Sequence, residues 1–173
     1  MNPKYLCIRH KWIKSALGLL LLSSIWLSLN LLRFPPFSSN WLFFALVIIW
    51  STDTGAYFVG KYWGKRKLAP NVSPKKTWEG LFGGVFLALV MSVATLYIFT
   101  MPVQSILLNR LFTVIVLVSV LSVAGDLFES ILKREAEVKD SGSLLPGHGG
   151  LLDRIDGLLF ALPLYALLSL YLI

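Results

Sequence analysis

Long apolar runs recur along this chain of 173 residues and limit the folds open to it. A helix needs about 20 mainly apolar residues to cross the hydrocarbon core of a bilayer. Because lipid offers no partner to backbone N–H and C=O groups, helices are the spanning structures that fit such runs. The five runs are residues 15–32, 41–62, 80–100, 111–125 and 157–173. The sequence therefore predicts an all-α, polytopic integral membrane bundle of about five transmembrane helices with polar loops.

The positions of the Lys and Arg residues predict the orientation of this bundle. All except Arg33 and Arg110 fall before the first run, near the connection of the second and third runs, or between the fourth and fifth. Cytoplasmic loops carry such an excess of cations. The N-terminus and both polar loops are thus expected in the cytoplasm, with the protein in a bacterial-type inner membrane. The net charge of +7 then reflects membrane topology, and no nucleic-acid partner is expected.

Two local features modify the predicted helices. A polar cluster at residues 51–55 interrupts the second run and predicts that the helix ends or kinks there. Gly80, Gly83 and Gly84 begin the third run, where small residues allow another helix to approach closely. Cys7 is the single cysteine, which excludes an intramolecular disulfide and a cysteine-based metal cluster.

Acidic residues lie at the predicted cytoplasmic ends of the last two helices. Asp126, Glu129 and Lys133 are spaced by three and four residues and so share one helical face. An ordinary ion pair between Glu129 and Lys133 is the alternative, but it leaves Asp126 without a cation at helical spacing. Asp153 and Asp156 are also three residues apart, where favourable interaction with the helix dipole is the alternative. Carboxylates from two helix ends suit Mg²⁺, which also takes water and substrate phosphates as ligands.

Two polar loops have the composition of phosphate sites. Glycines flank His148, so backbone amides there can approach an anion closely, although a structural hydrogen bond would also explain this histidine. Residues 71–80 place two lysines beside hydroxyl groups just before a helix, with a simple cationic flank as the alternative. The residues alone thus indicate a cytoplasm-facing polyphosphate and Mg²⁺ site, without naming the substrate.

Four segments, in this order, resemble the phosphatidate cytidylyltransferases (CDP-diacylglycerol synthases). They are 53–61, with Asp53-Thr54-Gly55-Ala56-Tyr57 and Gly60-Lys61; 73–80, Ser-Pro-Lys-Lys-Thr-Trp-Glu-Gly; 125–130, Gly-Asp-Leu-x-Glu-Ser; and 130–156, which contains Leu-Pro-Gly-His-Gly-Gly-x-x-Asp-Arg-Ile-Asp. The last segment holds rare residues at fixed spacings, which makes the match specific. The resemblance implies a helical membrane fold with a polar site open to cytoplasm and bilayer. It also implies that CTP and phosphatidate react to give CDP-diacylglycerol and pyrophosphate.

The resemblance implies roles for particular residues. The expected catalytic residues are Asp126, Asp153, Lys133, Arg134 and His148. The expected Mg²⁺ ligands are Asp126, Asp153 and Asp156, and a second cation is allowed. The expected substrate-binding residues are Asp53, Ser73, Lys75, Lys76, Thr77, Glu79, Lys139, Asp140, Gly149, Gly150 and Arg154. CTP, phosphatidate and the lipid bilayer are the expected partners, and a homodimer is allowed.

The region before residue 41 departs from the family pattern. Family members usually carry several more transmembrane helices there, so the chain resembles an N-terminally short form. Residues 1–40 are expected to form a cytoplasmic tail, a first retained helix and an external turn, and residues 41–173 the cytidylyltransferase-like catalytic domain. The alternative function is that of a non-catalytic shortened paralogue or fragment acting as a membrane partner subunit.

Overall fold

The computed structural model describes residues 11–34, 39–99, 105–136, 138, 141–142, 150 and 152–170, with the backbone alone at 11, 14, 105–108 and 152–154. The elements are α1 (Lys11–Arg33), α2 (Ser39–Trp63), β1 (Lys67–Ala69), β2 (Ser73–Thr77), α3 (Trp78–Ile98), α4 (Ser105–Glu135) and α5 (Leu152–Ser169). Helices dominate, as the apolar runs predict.

Four of the described helices are long and apolar enough to cross a membrane. Their candidate spans are Ser15–Arg33, Ser39–Trp63, Trp78–Ile98 and Asn109–Glu135. The apolar part of the last helix, Ile155–Ser169, is shorter than these. Large apolar side chains such as Trp26 and Phe86 are exposed, as expected of a lipid-facing surface. The prediction of an all-α polytopic membrane protein is confirmed.

The apolar core lies where α1, α2, α4 and α5 meet. Phe44 and Ile48 of α2, Val118 of α4, and Leu162 and Tyr165 of α5 are all fully buried in it. Helix α5 packs mainly against α4 and α1, whereas α3 packs mainly against α2. The polar residues that follow along α2 and α4 are thereby held at one end of this core.

Helix α2 continues through the polar cluster at residues 51–55, so the predicted end of the helix there is wrong. The hydroxyl of Ser51 donates to the carbonyl of Val47, and that of Thr52 donates to the carbonyl of Ile48 at 2.8 Å. Such bonds to the preceding turn satisfy hydroxyl groups inside a helix. The cluster therefore carries polar side chains into the bundle without breaking the helix.

Helices α2 and α3 touch through their backbones, which confirms the close approach predicted from the glycines. A Cβ atom at Gly84 would lie 2.6 Å from the carbonyl oxygen of Thr52, and one at Gly55 would lie 2.7 Å from that of Gly83. At Gly80 the corresponding distance, to the carbonyl oxygen of Ala56, is 2.8 Å. A side chain at any of these positions would force the helices apart. The contact fixes the second half of α2 beside the start of α3.

A short antiparallel hairpin, β1 and β2, joins these two helices. Lys67 pairs with Thr77 and Ala69 pairs with Ser73, with a shift of register between the pairs. The sequence predicted only a loop here, because strands this short and polar show no alternating apolar pattern. Thr77 then caps α3, since its side chain accepts the N–H of Gly80 at 3.1 Å. The hairpin thus ends directly in the helix that packs on α2.

Candidate functional site

A cavity of about 620 Å³ lies between the hairpin and the facing ends of α2, α3 and α4. Its size is in the range of small-molecule binding sites, about 300–1,000 Å³. Four lysines and two aspartates contribute to its wall, namely Lys61, Lys67, Lys75, Lys76, Asp53 and Asp126. Tyr57, Ser73 and Thr77 add aromatic and hydroxyl groups. An excess of cations around such a cavity favours an anionic ligand.

An ion pair between Lys76 and Asp126 joins the hairpin to α4. The ammonium Nζ of Lys76 lies 2.7 Å from Oδ2 of Asp126 and donates to the carbonyl of Val123 at 3.3 Å. The two side chains are 23% and 20% exposed, so the pair is only partly screened by water. Asp126 therefore has a cationic partner after all, but it comes from 50 residues earlier in the chain.

Polar oxygens from α2 and α4 converge on Gly157 of α5. A Cβ atom at Gly157 would lie 2.7 Å from Oγ of Ser122, 3.3 Å from Oδ1 of Asp126 and 3.6 Å from Oδ2 of Asp53. Because glycine has no side chain, the α5 backbone can come this close. The result is a group of two carboxylates and a hydroxyl at the meeting point of three helices.

Asp156 extends the acidic group along α5. Its Oδ1 accepts the N–H of Gly157 at 2.8 Å, and its carboxylate lies close to those of Asp126 and Glu129. Gly125 permits this, since a Cβ atom there would lie 2.8 Å from the carbonyl oxygen of Asp156. The start of α5 and the C-terminal part of α4 are therefore in backbone contact at the level of the acids.

The Glu129–Lys133 ion pair is present, as the simpler sequence interpretation predicted. Nζ of Lys133 lies 3.3 Å from Oε2 of Glu129, without the geometry of a hydrogen bond. Glu129 is buried at 5% exposure, so this partner offsets part of the cost of burying its charge. Within the described residues, Lys133 lies beside the acidic group and not in the wall of the cavity.

The acidic group has the donors that a hard divalent cation requires. Oδ1 of Asp126 is buried and accepts no hydrogen bond from any described residue. In the described part of the chain, no three His, Cys, Asp or Glu side chains are arranged to hold a metal ion by themselves. Mg²⁺ commonly takes one or two protein carboxylates and completes its shell with water and substrate phosphates. The free oxygen of Asp126, with Asp53 and Asp156 nearby, fits that pattern.

The chain matches the family described as "Cytidylyltransferase family" over residues 4–172. It belongs to the cytidylyltransferase family. It is 42% identical to the phosphatidate cytidylyltransferase of Bacillus subtilis over 171 residues, which cover 95% of this chain and 62% of that protein. It is 44% identical to the Pseudomonas aeruginosa phosphatidate cytidylyltransferase over 158 residues, 91% of this chain and 58% of the relative. The chain thus spans about three fifths of the length of these relatives.

The family resemblance predicted from the motifs is therefore confirmed, and the structure brings several of the motif residues together. Asp53, Ser73, Lys75, Lys76, Thr77 and Asp126 all line the one cavity. They come from α2, the hairpin and α4, which are separated along the sequence. Their grouping agrees with the predicted site, although their individual roles stay predictions.

Glu79 occupies a different place from the one its predicted role in substrate binding suggests. Its carboxylate accepts the backbone N–H groups of Lys65 at 3.1 Å and of Arg66 at 3.1 and 3.2 Å. Among the described residues it is not part of the cavity wall. Glu79 instead ties the start of α3 to the segment that leads into β1.

The remaining predicted site residues lie away from the described cavity or beyond the described chain. Arg134 is exposed near the end of α4, and the buried Gly150 is packed against Ser141 and Gly142. The residues Lys139, Asp140, His148 and Gly149 lie outside the described residues, as do the side chains of Asp153 and Arg154. Their predicted catalytic, metal-binding and substrate-binding roles are untested by this structure.

Among the cavity-lining residues that were not predicted as site residues, three carry polar or charged side chains, namely Tyr57, Lys61 and Lys67. A signal was present for two of them, because Asp53, Tyr57 and Lys61 recur at intervals of four and share one face of α2. Nζ of Lys61 also lies 5.7 Å from the ring centroid of Tyr57, within the range of a cation–π interaction. In the sequence, the excess of cations expected next to membrane helices fully accounted for Lys61 and Lys67, so neither was singled out as a cavity residue.

Proposed function

We propose that this protein transfers a cytidylyl group from CTP to phosphatidate, giving CDP-diacylglycerol and pyrophosphate. The cavity lined by four lysines and two aspartates carries the proposal, because both substrates present phosphate groups. The names of the relatives support the choice of substrates, since both matched proteins are phosphatidate cytidylyltransferases. The matches cover most of this chain. A cavity among helix ends of a membrane bundle also suits a reaction between a soluble nucleotide and a lipid.

The reaction requires little covalent chemistry from the protein. An oxygen of the phosphatidate phosphate attacks the α-phosphorus of CTP, and a new P–O bond forms. The bond from the α-phosphorus to the oxygen bridging to the β-phosphorus breaks, and pyrophosphate leaves with the electron pair. Because the attacking phosphate is already an anion, no general base is needed. Positioning and electrostatic stabilisation then account for most of the catalysis.

The lysines of the cavity supply that stabilisation. Lys75 and Lys76 on β2 line the same cavity as Lys61 on α2 and Lys67 on β1, so phosphate charge would be met by lysines from three elements. Ammonium groups bind phosphate as compact charges with several donors. His148, beyond the described residues, is assigned a positioning role in this scheme.

Mg²⁺ is part of the proposal, with Asp126, Asp153 and Asp156 as the residues that would hold it. The support is the buried Oδ1 of Asp126, which lacks a hydrogen-bond donor among the described residues. When bound, the ion would neutralise charge on the CTP phosphates and on the leaving pyrophosphate.

We also propose that the site faces the cytoplasm of a bacterial inner membrane, and that a homodimer is the assembly to test by cross-linking.

The test is the reaction itself in detergent solution or nanodiscs. Purified protein with labelled CTP, phosphatidate and Mg²⁺ is expected to form CDP-diacylglycerol. Asp126→Asn should lower kcat by about 100-fold, the usual effect of removing a preorganised charge at a reacting centre. Lys65→Met is the matched control, because the Lys65 side chain is exposed and outside the cavity wall. Absence of product from folded protein at all substrate concentrations would refute the proposal.

A further inference from the structure

The Lys76–Asp126 pair links the two chemically distinct halves of the site. Lys76 lies on the wall formed by lysines, and Asp126 belongs to the acidic group around Gly157. Their charged atoms are 2.7 Å apart, the distance of a strong charge-assisted hydrogen bond. One ammonium therefore serves as counter-ion to the carboxylate with the free buried oxygen.

In this arrangement the ammonium of Lys76 competes with a divalent cation for Asp126. A carboxylate already neutralised by an ammonium at hydrogen-bond distance attracts a divalent cation less strongly. The ammonium in turn is less available to an anion in the cavity while it is held by Asp126 and the carbonyl of Val123. Binding of an anion by Lys76 and binding of a cation by Asp126 therefore favour each other.

The side chain of Lys76 is flexible enough for its ammonium to change hydrogen-bond partner. Its ammonium is carried on four flexible methylene groups, so it can move without displacement of the backbone. The backbone around it is fixed, since β2 pairs with β1 and Thr77 caps α3. Because Lys76 also lines the cavity, we expect a movement of its ammonium alone to exchange Asp126 for a phosphate group bound there.

We propose that Lys76 is an internal counter-ion that couples the binding of nucleotide and divalent cation. Without nucleotide, its ammonium holds Asp126. The nucleotide phosphates attract the ammonium, and the released carboxylate then binds the cation. Linkage makes the effect reciprocal, so the cation raises nucleotide affinity by the same factor. The identity of the nucleotide as CTP rests on the proposed function, whereas the competition at Asp126 does not.

Binding of Mn²⁺ to the full chain in nanodiscs, followed by electron paramagnetic resonance, tests the proposal. In the absence of nucleotide, Lys76→Met should bind Mn²⁺ roughly tenfold more tightly than the unmodified protein, because a charge-assisted hydrogen bond no longer competes. CTP should raise Mn²⁺ affinity in the unmodified protein and much less in Lys76→Met, after correction for Mn²⁺ held by free nucleotide. Unchanged nucleotide-free affinity in folded Lys76→Met would overturn the proposal.

Two further variants make the result specific. Lys75→Met removes a neighbouring cavity lysine that has no ion pair with Asp126 in the described structure, and should change nucleotide-free Mn²⁺ affinity by less than about twofold. Lys76→Arg keeps the charge and should have the nucleotide-free Mn²⁺ affinity of the unmodified protein. If Lys76→Met fails to fold, Lys76→Gln replaces it in the same comparison. Equal effects of Lys75→Met and Lys76→Met would reduce the finding to general charge and overturn the proposal.

Failure of the counter-ion role and failure of the proposed reaction are distinguishable. Tighter Mn²⁺ binding in Lys76→Met, together with no formation of CDP-diacylglycerol by the unmodified protein, would support the counter-ion and refute the reaction. Formation of CDP-diacylglycerol, together with unchanged Mn²⁺ affinity in Lys76→Met, would refute the counter-ion alone.

Discussion

At the scale of single residues, the site depends on positions that carry no side chain. Gly157 lets the α5 backbone approach Ser122, Asp126 and Asp53, and Gly125 lets α4 approach the backbone of Asp156. Carboxylates repel each other, so close packing from three helices is needed to hold them together. The acids supply the charge, and the two glycines determine how close the acids can be.

Gly157→Ala tests this dependence. The added methyl group would lie 2.7 Å from Oγ of Ser122 and 3.3 Å from Oδ1 of Asp126, so these groups must move. Overpacking of this kind costs about 1–3 kcal/mol, and we expect a lower thermal midpoint together with weaker Mn²⁺ binding. Gly18→Ala is the control, since a Cβ atom there meets nothing within 4 Å. Equal behaviour of the two variants in thermal unfolding and Mn²⁺ titration would contradict the prediction.

At the scale of elements, the hairpin is the part that the sequence did not reveal. The motif at residues 73–80 pointed to residues that line the cavity, but its strands are too short to show a pattern. The family resemblance implied that Glu79 binds substrate, and that role stays a prediction. Its actual partners are two backbone N–H groups, which composition and spacing do not reveal. Pairing over such distances in the chain is set by tertiary packing.

Glu79→Ala should loosen the hairpin. Removal of the carboxylate leaves the N–H groups of Lys65 and Arg66 without their acceptor, so the segment before β1 loses its attachment to α3. Hydrogen–deuterium exchange should become faster across residues 64–77, with Glu79→Gln in between because one acceptor oxygen remains. Helix α1, distant from the hairpin, provides the internal control. Unchanged exchange in 64–77 would show that the hairpin holds without Glu79.

At the scale of the whole molecule, composition was sufficient for the architecture but not for the site. Apolar runs identify membrane helices because each is a local property of about 20 residues. The polar cluster at residues 51–55 led to the prediction of a helix end that is not present. A hydroxyl group can donate to a carbonyl of its own helix and leave the helix intact. The Lys76–Asp126 pair joins residues 50 positions apart, whereas helical periodicity indicates only partners about one turn away. The acids and the Glu129–Lys133 pair could thus be predicted, but not the distant partner of Asp126.

The predicted orientation leads to a labelling experiment. With Cys7 replaced by Ser, a cysteine from Lys65→Cys should react with an impermeant maleimide only from the cytoplasmic side, because the cations cluster there. A cysteine from Asn109→Cys, exposed near the start of α4, should react only from outside. The reverse pattern would invert the topology and place the cavity on the outer face.

Most residues that line the cavity come from one short part of the chain. All of its lining residues lie between Asp53 and Leu81 except Val123 and Asp126. Contacts within such a short segment form early, since little loop entropy is lost in closing them. We therefore expect the basic wall to assemble as soon as α2, the hairpin and α3 have been synthesised. The acidic group requires α4 and α5, so we expect the proposed cation site to form only when the whole bundle has folded.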